Sequence, residues 1–188
     1  MKKIINLKYG KKNIVFPYNK WKNVKVYLPK RKINNKHLKK EVLISLNNPI
    51  GKKPLKELLK GKRTVSIIIP DATRKARCDE YLPVLINEIK KAGISEKNIK
   101  IIVANGTHTL KGINVNRKIA GNEISKKIEI IDHNCDDKDS LVYIGRTSRG
   151  NKVYINKIFY EYDVKIATGV IGFHYFAGFN GGRKAILP

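Results

Sequence analysis

Thr64-Val65-Ser66-Ile67-Ile68-Ile69-Pro70-Asp71-Ala72-Thr73-Arg74 decides the fold. The run from Thr64 to Ile69 is rich in β-branched residues and does not alternate apolar with charged side chains. That is the pattern of a strand buried on both faces, as parallel sheets produce. The polar residues from Asp71 to Arg74 mark the point where the chain leaves the sheet. Working downstream, Glu80 to Ala92 places Leu82, Leu85, Ile86 and Ile89 at helical spacing, and Gly93 stops it. Ile99 to Val103 is a second apolar strand and Ile128 to Ile131 a third. Arg117 to Lys126 predicts a helix between them, weakened by Gly121. Leu141 to Ile144 and Lys152 to Ile155 bracket Thr147-Ser148-Arg149-Gly150 as a hairpin, and Val164 to Thr168 is a fourth candidate for the parallel sheet. Strands alternating with helices predict an α/β fold, a mostly parallel sheet with flanking helices.

Upstream, the chain reads as a β-rich lead-in over about residues 1–30. Ile4 to Leu7 and Asn13 to Phe16 flank the turn Tyr9-Gly10-Lys11-Lys12, and Val24 to Leu28 is a third extended run closed by Pro29. His37 to Leu46 has helical spacing, with Leu38, Val42, Leu43 and Leu46 near one face. Pro54 opens a short helix over Leu55 to Lys60, with Gly61 at its end. The stretch 1–188 reads as a single α/β domain, and Ala185-Ile186-Leu187-Pro188 as the opening of a further element.

Hydrophobic residues make up 41% of the chain, enough to bury a core. No apolar run approaches the length of a bilayer span, and Met1 to Lys8 lacks the apolar stretch of a secretory signal. Cys78 and Cys135 are the only cysteines, which fits reduced thiols in a cytoplasm. Lys and Arg number 40 against 15 Asp and Glu, a net charge of +25. Such an excess draws anions. It leaves a basic nucleic-acid or anionic-surface binding module as the alternative reading, whose signature is a steep salt dependence. The lysines are spread along the chain and form no block interleaved with aromatics, so a solvated surface is the preferred reading and a nucleic-acid partner is not expected.

Each apolar strand leads into a polar signature: Ile69 into Asp71-Ala72-Thr73-Arg74, Val103 into Ala104-Asn105-Gly106-Thr107-His108, Ile131 into Asp132-His133-Asn134, Thr168 into Gly169 and then His174. In open parallel sheets ligands bind beyond the carboxyl ends of the strands, so these signatures should meet on one rim. His108 and His174 are a candidate pair of proton-transfer groups. His133 follows a strand within a local turn and ranks below them, and His37 opens a helix. Arg74 suits a carboxylate or phosphate through paired hydrogen bonds. Asp71 or Thr73 equally suits a helix cap. Asn180-Gly181-Gly182-Arg183-Lys184 resembles a backbone cradle before a helix, although taken alone it reads more readily as a glycine turn with two solvated cations. Neither a Walker loop, a dinucleotide fingerprint nor a nucleophile elbow is present. The histidines and cysteines lack metal-ligand spacing, and no metal ligand is assigned.

Taken in order, Asp71-Ala72-Thr73-Arg74, Ala104 to His108, Thr147-Ser148-Arg149-Gly150, Ile166 to Gly169, and His174-Tyr175-Phe176-Ala177-Gly178-Phe179 with Gly181-Gly182-Arg183-Lys184 resemble the nickel-pincer lactate racemase family from about Leu7 to Pro188. Lys75, Thr109, Phe173 and Asn180 depart from the pattern, where proline, arginine, proline and serine are usual. The resemblance implies the N-terminal part of a two-domain 2-hydroxyacid racemase or epimerase whose second domain is absent from this chain. It implies hydride transfer to a nickel-pincer nucleotide, a thiolated pyridinium mononucleotide made by cofactor-synthesis proteins. It implies that Lys184 tethers that cofactor through a thioamide. By the same resemblance Asp71, Ala72, Thr73 and Arg74 contact cofactor or substrate, with Arg74 on the carboxylate of a substrate such as lactate. His108 and His174 would be the acid/base pair, and a further nickel-ligating histidine would lie downstream.

Overall fold

The structure is a computed structural model and describes residues 4–19, 21–27 and 37–187. The chain divides into two compact units, residues 1–35 and 36–188. In the first, β1 (Ile4–Tyr9) pairs antiparallel with β2 (Lys12–Pro17), Tyr9 opposite Lys12 across the turn. Gly10 takes a φ of 58°, the left-handed value that a tight hairpin turn requires. The rings of Phe16 and Trp21 lie 6.2 Å apart. The expected third extended run does not become a strand: Val24 to Tyr27 enters no ladder, and Leu28 and Pro29 lie outside the described residues.

The second unit begins with α1 (Leu38–Asn47) and α2 (Leu55–Leu58). There follow β3 (Val65–Pro70), α3 (Cys78–Lys91), β4 (Ile99–Ala104), α4 (Ile113–Ala120), α5 (Asn122–Lys127) and β5 (Glu129–Asp132). Then come β6 (Leu141–Arg146), β7 (Lys152–Asn156), α6 (Lys157–Glu161) and β8 (Val164–Ala167). A small hairpin, β9 (Phe173–His174) with β10 (Gly178–Phe179), precedes a one-turn 3-10 helix over Gly182–Ala185.

Four strands form a parallel sheet in the order β5-β4-β3-β8, as the apolar runs anticipated. Alternate residues of β3 and β4 feed two cores. Val65, Ile67 and Ile69 join Ile101 and Val103 in a large cluster with Leu82, Leu85, Ile86 and Ile89 of α3. Ile68 and Ile102 point the other way, into a smaller cluster with Val153, Ile155 and Phe159. The helix expected over Arg117 to Lys126 is instead two, α4 and α5, broken at Gly121. That residue has a φ of 91°, and a Cβ there would lie 3.3 Å from the Asp79 Cβ, so the break also lies close against α3. In α1, Leu38, Val42 and Leu46 pack on the large cluster, whereas Leu43 is turned outward. α6 and the β9–β10 hairpin have no counterpart in the sequence reading. Among the described residues no helix is long and apolar enough to cross a membrane.

Candidate functional site

Strand order places the site. From β3 the chain steps outward to β4 and β5, then returns to pair β8 on the opposite side of β3. The order reverses between β3 and β8, and in such sheets the crevice at the carboxyl ends of those two strands binds ligands.

Asp71 leaves β3 at this point and is buried. Its Oδ1 accepts from the Thr73 hydroxyl at 2.7 Å and the Thr73 amide at 3.2 Å. Its Oδ2 lies 2.6 Å from His108 Nδ1. Burial by itself would raise the Asp71 carboxyl. The hydrogen bonds from Thr73 and His108, with attraction to the His108 ring, outweigh it and hold the group below its ordinary carboxylate value. Ala72 and Arg74 are exposed on the same turn, and the Arg74 amide donates to the Asp71 carbonyl at 3.1 Å.

His108 follows β4, exposed, on the wall of an open pocket of about 340 Å³ shared with Gly106, Thr107, Asn134, Cys135 and Asp136. Its amide donates to the Asn105 carbonyl at 3.0 Å. Asn105 is buried, and its side-chain amide donates to Asp132 Oδ1 at 2.7 Å and to the His133 carbonyl at 3.3 Å. It therefore fastens the loop after β4 to the end of β5. Asn105 stands in the motif after β4 with no role that its spacing reveals. A polar residue directly after an apolar strand was the available signal.

Past β8, the Thr168 hydroxyl donates to the Ile68 carbonyl at 2.7 Å and lies 2.6 Å from the Tyr81 hydroxyl, tying β8, β3 and α3 together. Burial raises the Tyr81 phenol well above its ordinary value and so keeps it protonated. The loops on either side of His174 then run close together. A Cβ on Gly169 would lie 3.3 Å from the Gly181 Cα, and one on Gly181, whose φ is 80°, would lie 3.0 Å from the Val170 carbonyl oxygen. The Asn180 amide donates to the Gly172 carbonyl at 2.9 Å. Lys184 is half-buried on the 3-10 turn, which packs against β3 and β8. Its neighbours Ala185 and Ile186 reach the small core beside Ile68 and Ile102. His174 is half-buried in β9, and its Nδ1 accepts from the amides of Phe176 and Ala177, each at 3.2 Å. Its ring stacks on Tyr175 with centroids 5.0 Å apart.

The structure thus gathers Asp71, Thr73 and His108 into one hydrogen-bonded group. It seats the turn of Lys184 at the strand-order reversal and bonds His174 within its own hairpin. Ala72 and Arg74 are left facing solvent. Among the described residues, no group of three or more His, Cys, Asp or Glu is arranged to hold a metal ion.

His133 has a different setting. Its Nδ1 lies 3.4 Å from the Asn156 side-chain amide, whose oxygen caps α6 by accepting from the Phe159 amide at 3.1 Å. The ring borders a cavity of about 40 Å³ beside Ala185 and Ile186. Burial lowers its basicity below the ordinary imidazole value. The unfolded chain therefore takes up a proton that the folded chain resists, so this contribution to stability is complete above about pH 6.5 and is lost as pH falls below it. Urea titrations at pH 7.5 and pH 5.5 should give a lower midpoint at the acid value, and His133→Gln should narrow that difference. An unaltered pH dependence in the variant would contradict this account.

The fold is a parallel α/β sheet that sets a buried aspartate against an exposed histidine beyond β3 and β4, with the turn of Lys184 packed on β3 and β8. The chain belongs to the lactate racemase N-terminal domain family, whose model matches residues 9–188. It is 33% identical over 186 residues to a lactate racemase of Thermoanaerobacterium thermosaccharolyticum, covering 98% of this chain and 43% of that protein. It is 38% identical over 144 residues to a lactate racemase of Lactiplantibacillus plantarum, covering 77% of this chain and 34% of that protein. The solved structure of the Thermoanaerobacterium thermosaccharolyticum lactate racemase apoprotein superposes with a TM-score of 0.79 at 32% identity, over 99% of this chain and 43% of that one. The chain therefore spans less than half the length of these relatives.

Proposed function

We propose that the chain is the N-terminal catalytic and cofactor-tethering domain of a two-domain 2-hydroxyacid racemase or epimerase of the lactate racemase type. The observation that carries this reading is the Asp71–His108 pair, 2.6 Å apart beyond the carboxyl ends of β3 and β4, in a chain from that family. A histidine whose Nδ1–H is held by a carboxylate presents Nε2 as a base, which is what removal of a proton from a 2-hydroxyl requires.

The residues present fit a nickel-pincer nucleotide. Lys184 offers a primary amine on a turn whose neighbours are anchored in the core, and Gly182 leaves open space where a Cβ would stand. Within the reading, Lys184 tethers the nucleotide, and the turn Asp71-Ala72-Thr73-Arg74 faces cofactor or substrate. When bound, the group would supply the hydride acceptor for the substrate's C2. The protein's own work is positional and acid–base. Arg74 is free to pair with the carboxylate of a 2-hydroxy acid such as lactate. His108 and His174 exchange protons with the hydroxyl, one serving each hand. The net charge of +25 draws in both the anionic cofactor and the anionic substrate.

A full-length protein that contains this domain, loaded with cofactor, should interconvert D- and L-lactate or a related 2-hydroxy acid. The absence of any racemisation across a panel of 2-hydroxy acids would sink the reading. The 188-residue chain on its own is expected to racemise nothing, because it corresponds to 43% of a whole relative and the reading assigns part of the substrate pocket to the remainder. Chiral chromatography after prolonged incubation with lactate checks this.

A further inference from the structure

The two histidines of the proposed acid–base pair are held by opposite kinds of partner, and this deepens the reading given above. His108 Nδ1 faces a carboxylate oxygen, an acceptor, at 2.6 Å. A carboxyl group whose pKa is held below the ordinary value is ionised at neutral pH and has no proton to give, so the hydrogen in this bond belongs to His108 Nδ1. In the neutral ring Nε2 then holds the lone pair. His174 Nδ1 faces two donors, the amides of Phe176 and Ala177, each at 3.2 Å. Neither amide can accept, so Nδ1 holds the lone pair and Nε2 carries the hydrogen.

We infer that the fold sets His108 and His174 in opposite neutral tautomers, with Asp71 and the Tyr175-Phe176-Ala177 turn as the positioning elements. His108 is then ready to take a proton at Nε2. His174 presents an N–H there and serves as a hydrogen-bond donor. A hydrogen on Nδ1 would face the two amide N–H groups, so it requires both bonds to open. To take part in proton exchange, His174 must release those two bonds, so the turn is a latch on one of the two histidines. Tyr175 and Phe176 are both 86% exposed, so no core contact opposes that release.

Asp71 also makes the arrangement switchable by one atom. Thr73 sends two donors to Oδ1, at 2.7 Å and 3.2 Å. In Asp71→Asn those donors keep the amide oxygen on the Thr73 side, so the –NH₂ replaces Oδ2 opposite His108. It must donate to Nδ1, which moves the His108 hydrogen to Nε2.

Nitrogen-15 long-range correlation spectra of the 188-residue chain at pH 8 read the tautomers directly, without cofactor and without turnover. His108→Gln and His174→Gln assign the rings. His108 should show a pyrrole-type Nδ1 and a pyridine-type Nε2, and His174 the reverse. Asp71→Asn should exchange the two His108 resonances and leave those of His174 in place. The same tautomer at both rings, averaged shifts at either, or a folded Asp71→Asn with His108 unchanged would overturn the inference. If that variant does not fold, the wild-type spectrum alone decides. An inactive full-length enzyme with opposite tautomers would instead defeat the functional reading and leave this inference standing.

Discussion

Lys184→Ala in a full-length protein carrying this domain should yield, after cofactor loading, a polypeptide of unmodified mass and racemisation at background. The proposed tether needs a primary amine, and alanine has none. Lys184→Arg should fail equally, since guanidinium keeps the positive charge but stays protonated and is no substitute nucleophile. The two variants together separate a covalent role from an electrostatic one. If Lys184 only held a phosphate, arginine would restore most of the function. Folding should survive both changes. The turn Gly182–Ala185 is fixed by Ala185 and Ile186 in the small core and by the Lys184 amide donating to the Gly181 carbonyl at 3.3 Å, none of which uses the amine. Surface-type substitutions of this kind shift stability by about 0.5 kcal/mol or less. Intact-mass spectrometry settles the matter: a cofactor-sized increment that persists on Lys184→Ala rules out Lys184 as the tether.

The parallel sheet was legible because burial on both faces leaves a mark in one dimension. The runs at Ile67-Ile68-Ile69 and Ile101-Ile102-Val103 have no polar alternate, and only a strand covered on both sides tolerates that. α3 was legible for the complementary reason, a single apolar stripe at helical period. Gly121 was recognised as a weakness, but sequence did not reveal that Asp79 sits against it, since that contact is made by the packing of α4 and α5 on α3. The small hairpin around His174 was hidden because its strands are two residues each and carry no period. The site was legible as a set of residue types following strand ends. Its wiring was not. Nothing in the spacing of Asp71 and His108 tells that they bond, because the pairing depends on β3 and β4 being adjacent and in register, Pro70 opposite Ala104. Nor does sequence show that Asn105 spans to Asp132, or that His133 is closed in under the turn that carries Lys184.

Ile101→Ala should destabilise the chain more than Ile102→Ala, by about 4 against about 2–3 kcal/mol, although both side chains are almost completely buried. The chemistry deleted is the same, so the difference lies in what surrounds the void. Ile101 sits in the large cluster with α3, a helix from Cys78 to Lys91, and with strands fixed by pairing on both sides. Those neighbours cannot close on the space. Ile102 faces the small cluster, where it already borders a cavity of about 40 Å³ and meets α6, a helix of 5 residues, and the turn bearing Ala185 and Ile186. Those short elements can settle inward. Against a total stability of about 5–15 kcal/mol, either loss is readable as a shift in urea midpoint, and costs in the reverse order would contradict the account. The two variants should also differ in kind. Settling beneath Ile102 displaces Ala185 and Ile186, so local hydrogen exchange at the Lys184 amide should quicken in Ile102→Ala beyond what its global stability accounts for. In Ile101→Ala, exchange at that amide should rise only with global unfolding. The seat of the lysine therefore rests on the smaller of the two cores, beside Ile68 and Ile102.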